Sequence, residues 1–428
     1  MSATTPENPL EGRTTYRAIL GNRELVALLS ARLLSGVGDQ AARAVLALYV
    51  LDQSQGDALL AALVLAVSYL PPIFGFALLG SLADRFPRRN VMLVSDMARA
   101  ILIGFLALAV SFESSYVVVF GLLLGAELFS APGLSARSSL LPDAARTPAE
   151  YQAVVGLGAT FEQGVQVLGF LLAGVAVGLT SASFALLFDS VTFLISFLLV
   201  LAFVVHRAPT AASGTSPRRL VRDMRDGFRT VVKAPSLRAV VLLLWATAAL
   251  LVATDAVALP YAASLGAKPW MATALLAATP AGAAIGALLV ARLPIGRQMR
   301  LIFPLAIAST LPMLLTAFEP PLLPTAGLWL LVGLCQGYVV TLIALSMQLT
   351  PQQRRGRVFG IAGAGFNAMA IVGLVGLGAV ASITTPAAAL VLAGALGLLI
   401  MVLAALLWPR RDVRAAVRVS YGARSRSI

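Results

Sequence analysis

Residues 80–89 read Gly80-Ser81-Leu82-Ala83-Asp84-Arg85-Phe86-Pro87-Arg88-Arg89, a polar and basic string between two strongly apolar stretches. A glycine permits two helices to approach closely, an aspartate can accept hydrogen bonds at a helix N-terminus, and arginines can bridge neighbouring helix ends. A loop that only carried positive charge would not require this order of residues. We therefore interpret the string as part of a conformational latch, which with two residues of the next apolar stretch comprises Gly80, Asp84, Arg85, Arg88, Arg89, Asp96 and Arg99.

Apolar stretches like the two around this string recur along the whole chain. Of its 428 residues, 59% are hydrophobic and 12% are charged, and the mean hydropathy is +0.89. Soluble domains carry about 25% charged residues, so a water-soluble fold is excluded. Stretches that can each cross ~30 Å of hydrocarbon predict an all-α membrane protein with twelve transmembrane helices. The predicted spans are 24–52, 58–80, 91–112, 115–138, 151–178, 182–206, 238–262, 269–291, 299–318, 322–349, 357–382 and 386–408.

The basic residues indicate the topology of these spans. The formal net charge is +13, and the arginines and lysines concentrate in alternate loops, as is typical of short cytoplasmic loops. This distribution predicts a multi-pass protein of the cytoplasmic (inner) membrane with both termini in the cytoplasm. Because the charge marks loops and does not form one basic patch, we expect membrane lipids and no nucleic acid as partners. The first ~20 residues are polar, so we also expect no cleavable signal peptide.

A long central loop divides the chain into two halves. We expect a cytoplasmic N-terminal segment (1–23), a six-helix bundle (24–206), a cytoplasmic linker (207–237), a second six-helix bundle (238–408) and a basic cytoplasmic tail (409–428). Apolar and basic residues at helical spacing predict an amphipathic linker helix on the membrane surface, and a regulatory docking helix is the alternative. Weak self-similarity between the halves indicates two repeats, the architecture of a secondary transporter whose substrate binds between them.

The string at 80–89 resembles the signature loop of the major facilitator superfamily. Twelve spans, a long central loop and duplicated halves extend this resemblance over nearly the whole chain. Further stretches resemble the efflux branch of drug, macrolide and enterobactin exporters, namely Gly38-Asp39, Ser95-Asp96-Met97-Ala98-Arg99, Ala131-Pro132, Leu140-Leu141-Pro142, Phe188-Asp189-Ser190, Thr192-Phe193 and Gly356-Arg357-Val358-Phe359-Gly360. The resemblance implies the two-bundle transporter fold, alternating access, a small-molecule substrate and efflux.

Two features of drug–proton antiporters in that family differ here. The fifth span keeps the glycines Gly169 and Gly174 but lacks the proline of the usual string. The fourth span lacks the membrane-embedded arginine found in many antiporters, and we assign Arg137 to the following loop. These differences concern proton antiport and leave the fold unaffected.

Ionisable residues inside the spans are candidates for proton coupling, because a charge is costly in hydrocarbon. Arg32, Asp39 and Arg43 fall on one face of the first helix, which we expect to line the interior. Asp39 and Arg43 are four residues apart, a spacing that allows an ion pair. The pair is either a switch that protonation opens or a permanent structural couple. The coupling candidates are Asp39, Arg43, Glu127 and Glu162; Asp96 and Arg99 are expected to pair with the latch loop.

The spans of the second half carry few charges, so we expect a mainly apolar cavity wall there and a hydrophobic or amphipathic ligand. Each polar or aromatic residue in these spans is either a contact for the ligand or an ordinary packing or interface residue. The candidates for the substrate cavity are Arg32, Gln163, Gln166, Asp189, Trp245, Asp255, Gln336, Tyr338 and Asn367.

Several classes of protein are excluded by what the sequence lacks. It has no phosphate-binding GxxxxGK[ST] string and no HExxH, and its single cysteine allows no disulfide and no cysteine metal cluster. We therefore expect no enzyme, metal or cofactor, and a transporter that uses an ion gradient. The leading hypothesis is a monomeric exporter driven by proton entry. An importer or facilitator, and a receptor or scaffold built on the same fold, remain open.

Overall fold

The architecture is known from a computed structural model that describes residues 19–74, 86–207, 217–351, 354–409 and 412–413. The latch residues Gly80, Asp84 and Arg85 lie outside these ranges. The first half contains α1 (Arg23–Gln53), α2 (Ala58–Val67), α3 (Leu70–Phe74), α4 (Arg88–Ser111), α5 (Tyr116–Leu128), α6 (Ser130–Ala144), α7 (Pro148–Leu179) and α8 (Ala182–Phe203). The linker contains α9 (Pro217–Lys233). The second half contains α10 (Pro235–Leu251), α11 (Ala253–Ser264), α12 (Pro269–Ala291), α13 (Ile295–Ala308), α14 (Leu311–Leu315), α15 (Leu322–Cys335), α16 (Tyr338–Gln348), α17 (Arg355–Ile383) and α18 (Pro386–Leu407).

The described residues form helices only, as the sequence predicts. Within them, 10 helices or consecutive helix pairs are long and apolar enough to cross a membrane; α5–α6, α10–α11, α13–α14 and α15–α16 each form one such span. The other two predicted spans correspond to α1, which carries three charged residues in its interior, and to α2–α3, which lead into the undescribed residues 75–85. The arrangement is consistent with twelve spans.

Short loops and capping residues define where the long helices begin. The Thr147 hydroxyl accepts a hydrogen bond from the backbone N–H of Glu150, and Pro148 occupies the first turn of α7. Thr385 and Pro386 begin α18 in the same way. Such caps satisfy backbone donors that a helix end would otherwise leave without a partner, and proline in the first turn removes one of them. These capping residues therefore fix the position in the sequence at which α7 and α18 begin.

The two halves meet mainly through two helix pairs, α7 with α12 and α2 with α17, and α3 and α11 add contacts beside the second pair. Gly174 of α7 lies against Trp270 of α12, and Gly378 of α17 lies against Ala62 of α2. Small residues at these crossings allow the backbones to approach closely, which is how membrane helices gain dispersion energy without a hydrophobic driving force. All four residues lie near the helix ends opposite the arginine-rich loops. The cavity between the halves is therefore closed at that end.

The linker helix α9 packs against the start of α17 in the second half. Val231 is buried there beside Val358, and the carboxylate of Asp226 lies 3.7 Å from the guanidinium of Arg357. Gly227 lies directly against the backbone of Arg357, where a larger residue would collide. Phe228, by contrast, is exposed. The helix predicted from the sequence is thus present, and it docks on the second bundle through one face.

Surface labelling tests the topology that the charge distribution predicts. Cysteines are introduced one at a time on a background from which the native cysteine has been removed. Labels at Arg88, Arg219 and Arg355 should react with a membrane-impermeant maleimide only from the cytoplasmic side. Labels at Asp57 and Lys268 should react only from outside. Labelling of position 219 from outside would contradict a cytoplasmic linker and two six-helix halves.

Candidate functional site

A cavity of about 360 Å³ lies between the two halves. The first half contributes most of its polar wall, and the second half contributes Asp255, Asn367 and Leu374. Apolar side chains, including Leu65 and Phe170, fill part of the wall between the polar groups. The charged and amide residues on the wall are Arg32, Asp39, Gln40, Arg43, Glu162, Gln163, Gln166, Asp255 and Asn367.

The face of α1 predicted to line the interior does so, since Arg32, Gly36, Asp39, Gln40 and Arg43 all lie on the cavity wall. Positions 32, 36, 39 and 43 are three or four residues apart and so share one side of the helix, and Gln40 lies next to Asp39 at its edge. Helical periodicity in the sequence was sufficient to identify this surface.

The Arg32 and Glu162 side chains form a two-pronged ion pair across the cavity mouth. Arg32 Nε donates to Glu162 Oε1 at 2.8 Å, and Nη2 donates to Oε2 at 2.6 Å. The Glu162 side chain is 51% exposed, so solvent screens this pair and its contribution to stability is small. Glu162 is therefore accessible to water while it remains paired.

Deeper in the first half, two ion pairs form one buried network. Arg99 Nη2 donates to Asp39 Oδ1 at 2.7 Å, and Arg43 Nε donates to Glu127 Oε1 at 2.9 Å. The Ser68 hydroxyl donates to the same Glu127 oxygen at 3.2 Å. The Glu127 side chain is only 3% exposed, and the Asp39 and Arg99 side chains are also buried. Charges so far from water require close partners, and each of these four has one.

These contacts include the Asp39–Arg43 pair expected from the sequence and add shorter pairings to other helices. The Asp39 and Arg43 groups do approach each other, but at 3.7 Å, and each has a shorter contact elsewhere. Arg99 reaches inward to Asp39 because α4 and α1 both pack on α8, whereas residues 80–85 of the latch loop lie outside the described ranges. Its guanidinium carbon also lies 4.3 Å from the ring centre of Phe193, a cation–π contact that stabilises the buried charge.

The described latch residues Arg88 and Arg89 both contact neighbouring helices of the first half, and Arg88 also pairs with the carboxylate of Asp143. Arg88 Nη1 donates to the Ser139 carbonyl at 2.7 Å, and Arg89 Nη2 donates to the Leu201 carbonyl at 2.6 Å. Asp96 accepts a hydrogen bond from the Ser196 hydroxyl at 2.7 Å. These contacts connect α4 to α6 and α8.

Arg137 was assigned to a loop, but it lies inside α6. This helix continues to Ala144, so the arginine is within the fourth span and close enough to Asp96 for an electrostatic interaction. The sequence suggested a loop because Arg137 falls with Arg146 in the alternating pattern of basic loops. Proline and glycine near the start of a helix do not end it when neighbouring helices support the backbone.

Three of the substrate-cavity candidates lie away from the cavity. Trp245 Nε1 donates to the Ala362 carbonyl at 3.0 Å within an apolar cluster, and the Tyr338 hydroxyl lies 3.1 Å from that of Thr247 inside the second bundle. Gln336 is buried where α15 ends. These side chains pack among helices of one half, which residue type alone could not reveal. Asp189 is a fourth case, because it lines a separate small space behind Asp39 and not the main cavity.

Sequence reasoning missed Gln40, Ser68 and Tyr69. Gln40 Oε1 accepts a hydrogen bond from Arg43 Nη1 at 3.0 Å, and its position relative to Arg43 and Gly36 could have placed it on the polar face. Ser68 and Tyr69 come where α2 gives way to α3, a break that hydropathy does not show. Within the described residues, no group of three or more His, Cys, Asp and Glu side chains is placed to hold a metal ion.

Comparison with known proteins places this geometry in a family. The sequence profile described as Major Facilitator Superfamily matches residues 28–348. The multidrug efflux pump Tap of Mycobacterium tuberculosis is 28% identical over 348 residues, covering 78% of this chain and 81% of the pump. The pump of the same name from Mycolicibacterium fortuitum is 26% identical over 365 residues, covering 82% and 87%.

Solved structures share the fold at low sequence identity. The nucleoside transporter NupG superposes with a TM-score of 0.70 at 14% identity, covering 91% of this chain and 99% of that one. A bacterial homologue of the human lysosomal transporter Spinster, in an inward-facing and occupied conformation, superposes with a TM-score of 0.63 at 15% identity, covering 96% and 97%. The profile match, the helical bundles and the central cavity together show that this chain belongs to the major facilitator superfamily of transporters.

Proposed function

We propose that this protein exports a hydrophobic or amphipathic small molecule by alternating access, driven by proton entry. The observation that carries the proposal is the buried ion-pair network of the first half, which reaches the cavity between the halves at Asp39 and Arg43. Charged groups at membrane depth are energetically costly, and their presence there therefore indicates a functional site. Movement of one half relative to the other can expose it to each side of the membrane in turn.

The cavity wall supports an amphipathic ligand. Phe170, Leu65 and Leu374 offer apolar surface, and Gln163, Gln166 and Asn367 offer hydrogen bonds beside it. A largely apolar surface with a few polar anchors is the usual composition of organic-ligand sites. The relatives named as multidrug efflux pumps support export of such a molecule.

In this proposal the transporter works as a monomer in the cytoplasmic membrane, with both termini in the cytoplasm. The closed end of the cavity then faces outward, and the Arg32–Glu162 pair lies toward the cytoplasmic opening. Coupling runs through carboxyls of the first half, with Asp39 as the first candidate and Glu127 and Glu162 after it.

Transport in vesicles tests the function. Purified protein is reconstituted into liposomes, with ethidium as the probe, and accumulation is measured with and without an imposed pH gradient. Protein-dependent uphill movement of ethidium against the direction of proton flow supports export by antiport. Ethidium movement together with protons would indicate an importer. No protein-dependent movement of ethidium or of a panel of organic cations and neutral amphiphiles would favour a receptor or scaffold.

Asp84→Asn tests the latch. The residue comes at the edge of a predicted span, so insertion and folding should be retained. The equilibrium between inward-open and outward-open states should shift, because the charge that holds the two halves together is lost. Cysteine accessibility on either side of the cavity reports the shift, and Asp52→Asn at the end of α1 is the matched control. Unchanged accessibility together with wild-type flux would contradict the latch.

A further inference from the structure

We propose that Asp189 of α8 is the proton-binding group of this transporter and that Asp39 connects it to the cavity; the inference rests on the proposed function. Asp189 is only 1% exposed. It lies in the interior of a membrane-spanning helix, and the small space beside it is lined by alanine, leucine and isoleucine side chains together with the charged groups of the network. A carboxylate in such a place is unfavourable without a partner.

The partners of Asp189 are too few to hold a full negative charge. The Thr192 hydroxyl lies 3.1 Å from Asp189 Oδ1 and 2.7 Å from the Asp189 backbone carbonyl, so its one hydrogen is shared between two acceptors. Among the described residues, Asp189 makes no ion pair within 4 Å. One shared hydroxyl does not replace the hydration that a carboxylate loses on burial.

The number of charged groups around Asp189 also favours a protonated carboxyl there. The charged groups that face Asp189 are Asp39 and Arg43 on α1, Arg99 on α4 and Glu127 on α5. Arg99 pairs with Asp39 and Arg43 pairs with Glu127, so both guanidinium groups already have acid partners. Three carboxyls and two guanidiniums leave one excess negative charge in the network. A proton on Asp189 removes that excess without breaking either ion pair.

A route for this proton is present at Asp39. The Asp39 and Arg43 side chains line both the main cavity and the small space that Asp189 also lines. Gly38 brings α1 so close to α8 that a Cβ there would collide with the Asp189 carboxyl. In the proposed route the proton therefore passes between Asp189 and the main cavity beside the Asp39 side chain, which lines both spaces.

Loss of the proton would change the ion pairs. The O–H bond of Asp189 breaks and the proton passes to cavity water. The resulting carboxylate attracts Arg99, whose Nε is buried without a hydrogen-bond partner among the described residues. Arg99 is then shared between α1 and α8, and Asp39 depends more on Arg43. Protonation thus alters how strongly α4 is bound to each neighbour, giving the two transport states different energies before and after proton binding.

Infrared difference spectroscopy tests the assignment directly. The purified wild-type protein is titrated with acid and base, and the carbonyl band of protonated carboxyl groups is followed. Asp189→Asn should lose one component of that band, whereas the matched control Asp52→Asn should keep all of them. A wild-type band pattern in Asp189→Asn would overturn the inference. Because Asn resembles a protonated acid, we expect this variant to fold; if it does not, Asp189→Ser answers the same question.

Transport supplies the second measurement. In liposomes, Asp189→Asn should lose ethidium accumulation driven by a pH gradient and keep exchange of labelled for unlabelled ethidium, which needs no net proton movement. Gradient-driven accumulation at the wild-type level in this variant would overturn the inference. If the wild type itself shows no response to the gradient, proton-coupled export fails, and the infrared result still decides whether Asp189 carries a proton.

Discussion

Asp39→Asn should abolish accumulation of ethidium driven by a pH gradient, while binding of the ligand in the cavity is retained. The carboxylate of Asp39 is the partner of Arg99 at 2.7 Å, and the Arg99 side chain is only 8% exposed. Removing one member of a buried ion pair leaves an uncompensated charge and costs about 3–5 kcal/mol. The same change removes the link between the buried network and cavity water. Accumulation in liposomes and ligand binding in detergent measure the two effects separately.

Loss of stability and loss of coupling must be distinguished in that experiment. The double variant Asp39→Asn with Arg99→Gln removes both charges, so it should recover thermal stability in detergent and remain uncoupled. Asp52→Asn, an exposed acid on the same helix, is the matched control and should behave as the wild type. Accumulation that still follows the pH gradient in Asp39→Asn would show that the proton does not pass through Asp39 and would leave Asp189, Glu127 and Glu162 as the groups to test. If gradient-driven accumulation persists in the triple variant Asp39→Asn, Glu127→Gln and Glu162→Gln, none of these three carboxyls is required for coupling.

Gly333→Ala should strongly destabilise the second bundle. Gly333 of α15 faces α12, where a Cβ would collide with the carbonyl oxygen of Thr279 and lie 2.8 Å from the backbone nitrogen of Ala283. Backbone atoms cannot move aside as a flexible side chain can, so the two helices would have to separate. Overpacking of this kind costs about 1–3 kcal/mol, and more where backbone must shift. The apparent melting temperature in detergent should fall accordingly.

Gly327→Ala on the same helix is the matched control. A Cβ at Gly327 meets nothing within 4 Å, and alanine is favoured over glycine in a helix by up to about 1 kcal/mol. This variant should therefore be as stable as the wild type or slightly more stable. Equal melting temperatures for the two variants would show that the close crossing of α12 and α15 does not determine stability.

The sequence was informative about α1 because the information is local. The polar residues Arg32, Asp39 and Arg43 share one face of a single helix, and helical periodicity is sufficient to predict that the face lines the interior. The same reasoning identified one ion pair on this face but not the shorter contacts of its members. A spacing of four suggested an Asp39–Arg43 pair, but the shorter contacts run to Arg99 on α4 and Glu127 on α5. Those contacts depend on how helices cross, which spacing within one helix does not specify.

Hydropathy, the order of basic loops and residues 80–89 determined by themselves that this chain is a helical membrane transporter. The physical reason is that hydrocarbon requires each span to satisfy its own backbone hydrogen bonds, so a helix of sufficient apolar length is identified locally. Only the tertiary structure decided which polar residues reach the cavity. Asp255 and Asn367 lie on its wall, whereas Gln336 and Tyr338 pack inside one bundle. In the sequence all four are polar residues within predicted spans of the second half. Whether each side chain reaches the cavity depends on the rotation of its helix and on how that helix crosses its neighbours, which long-range packing sets.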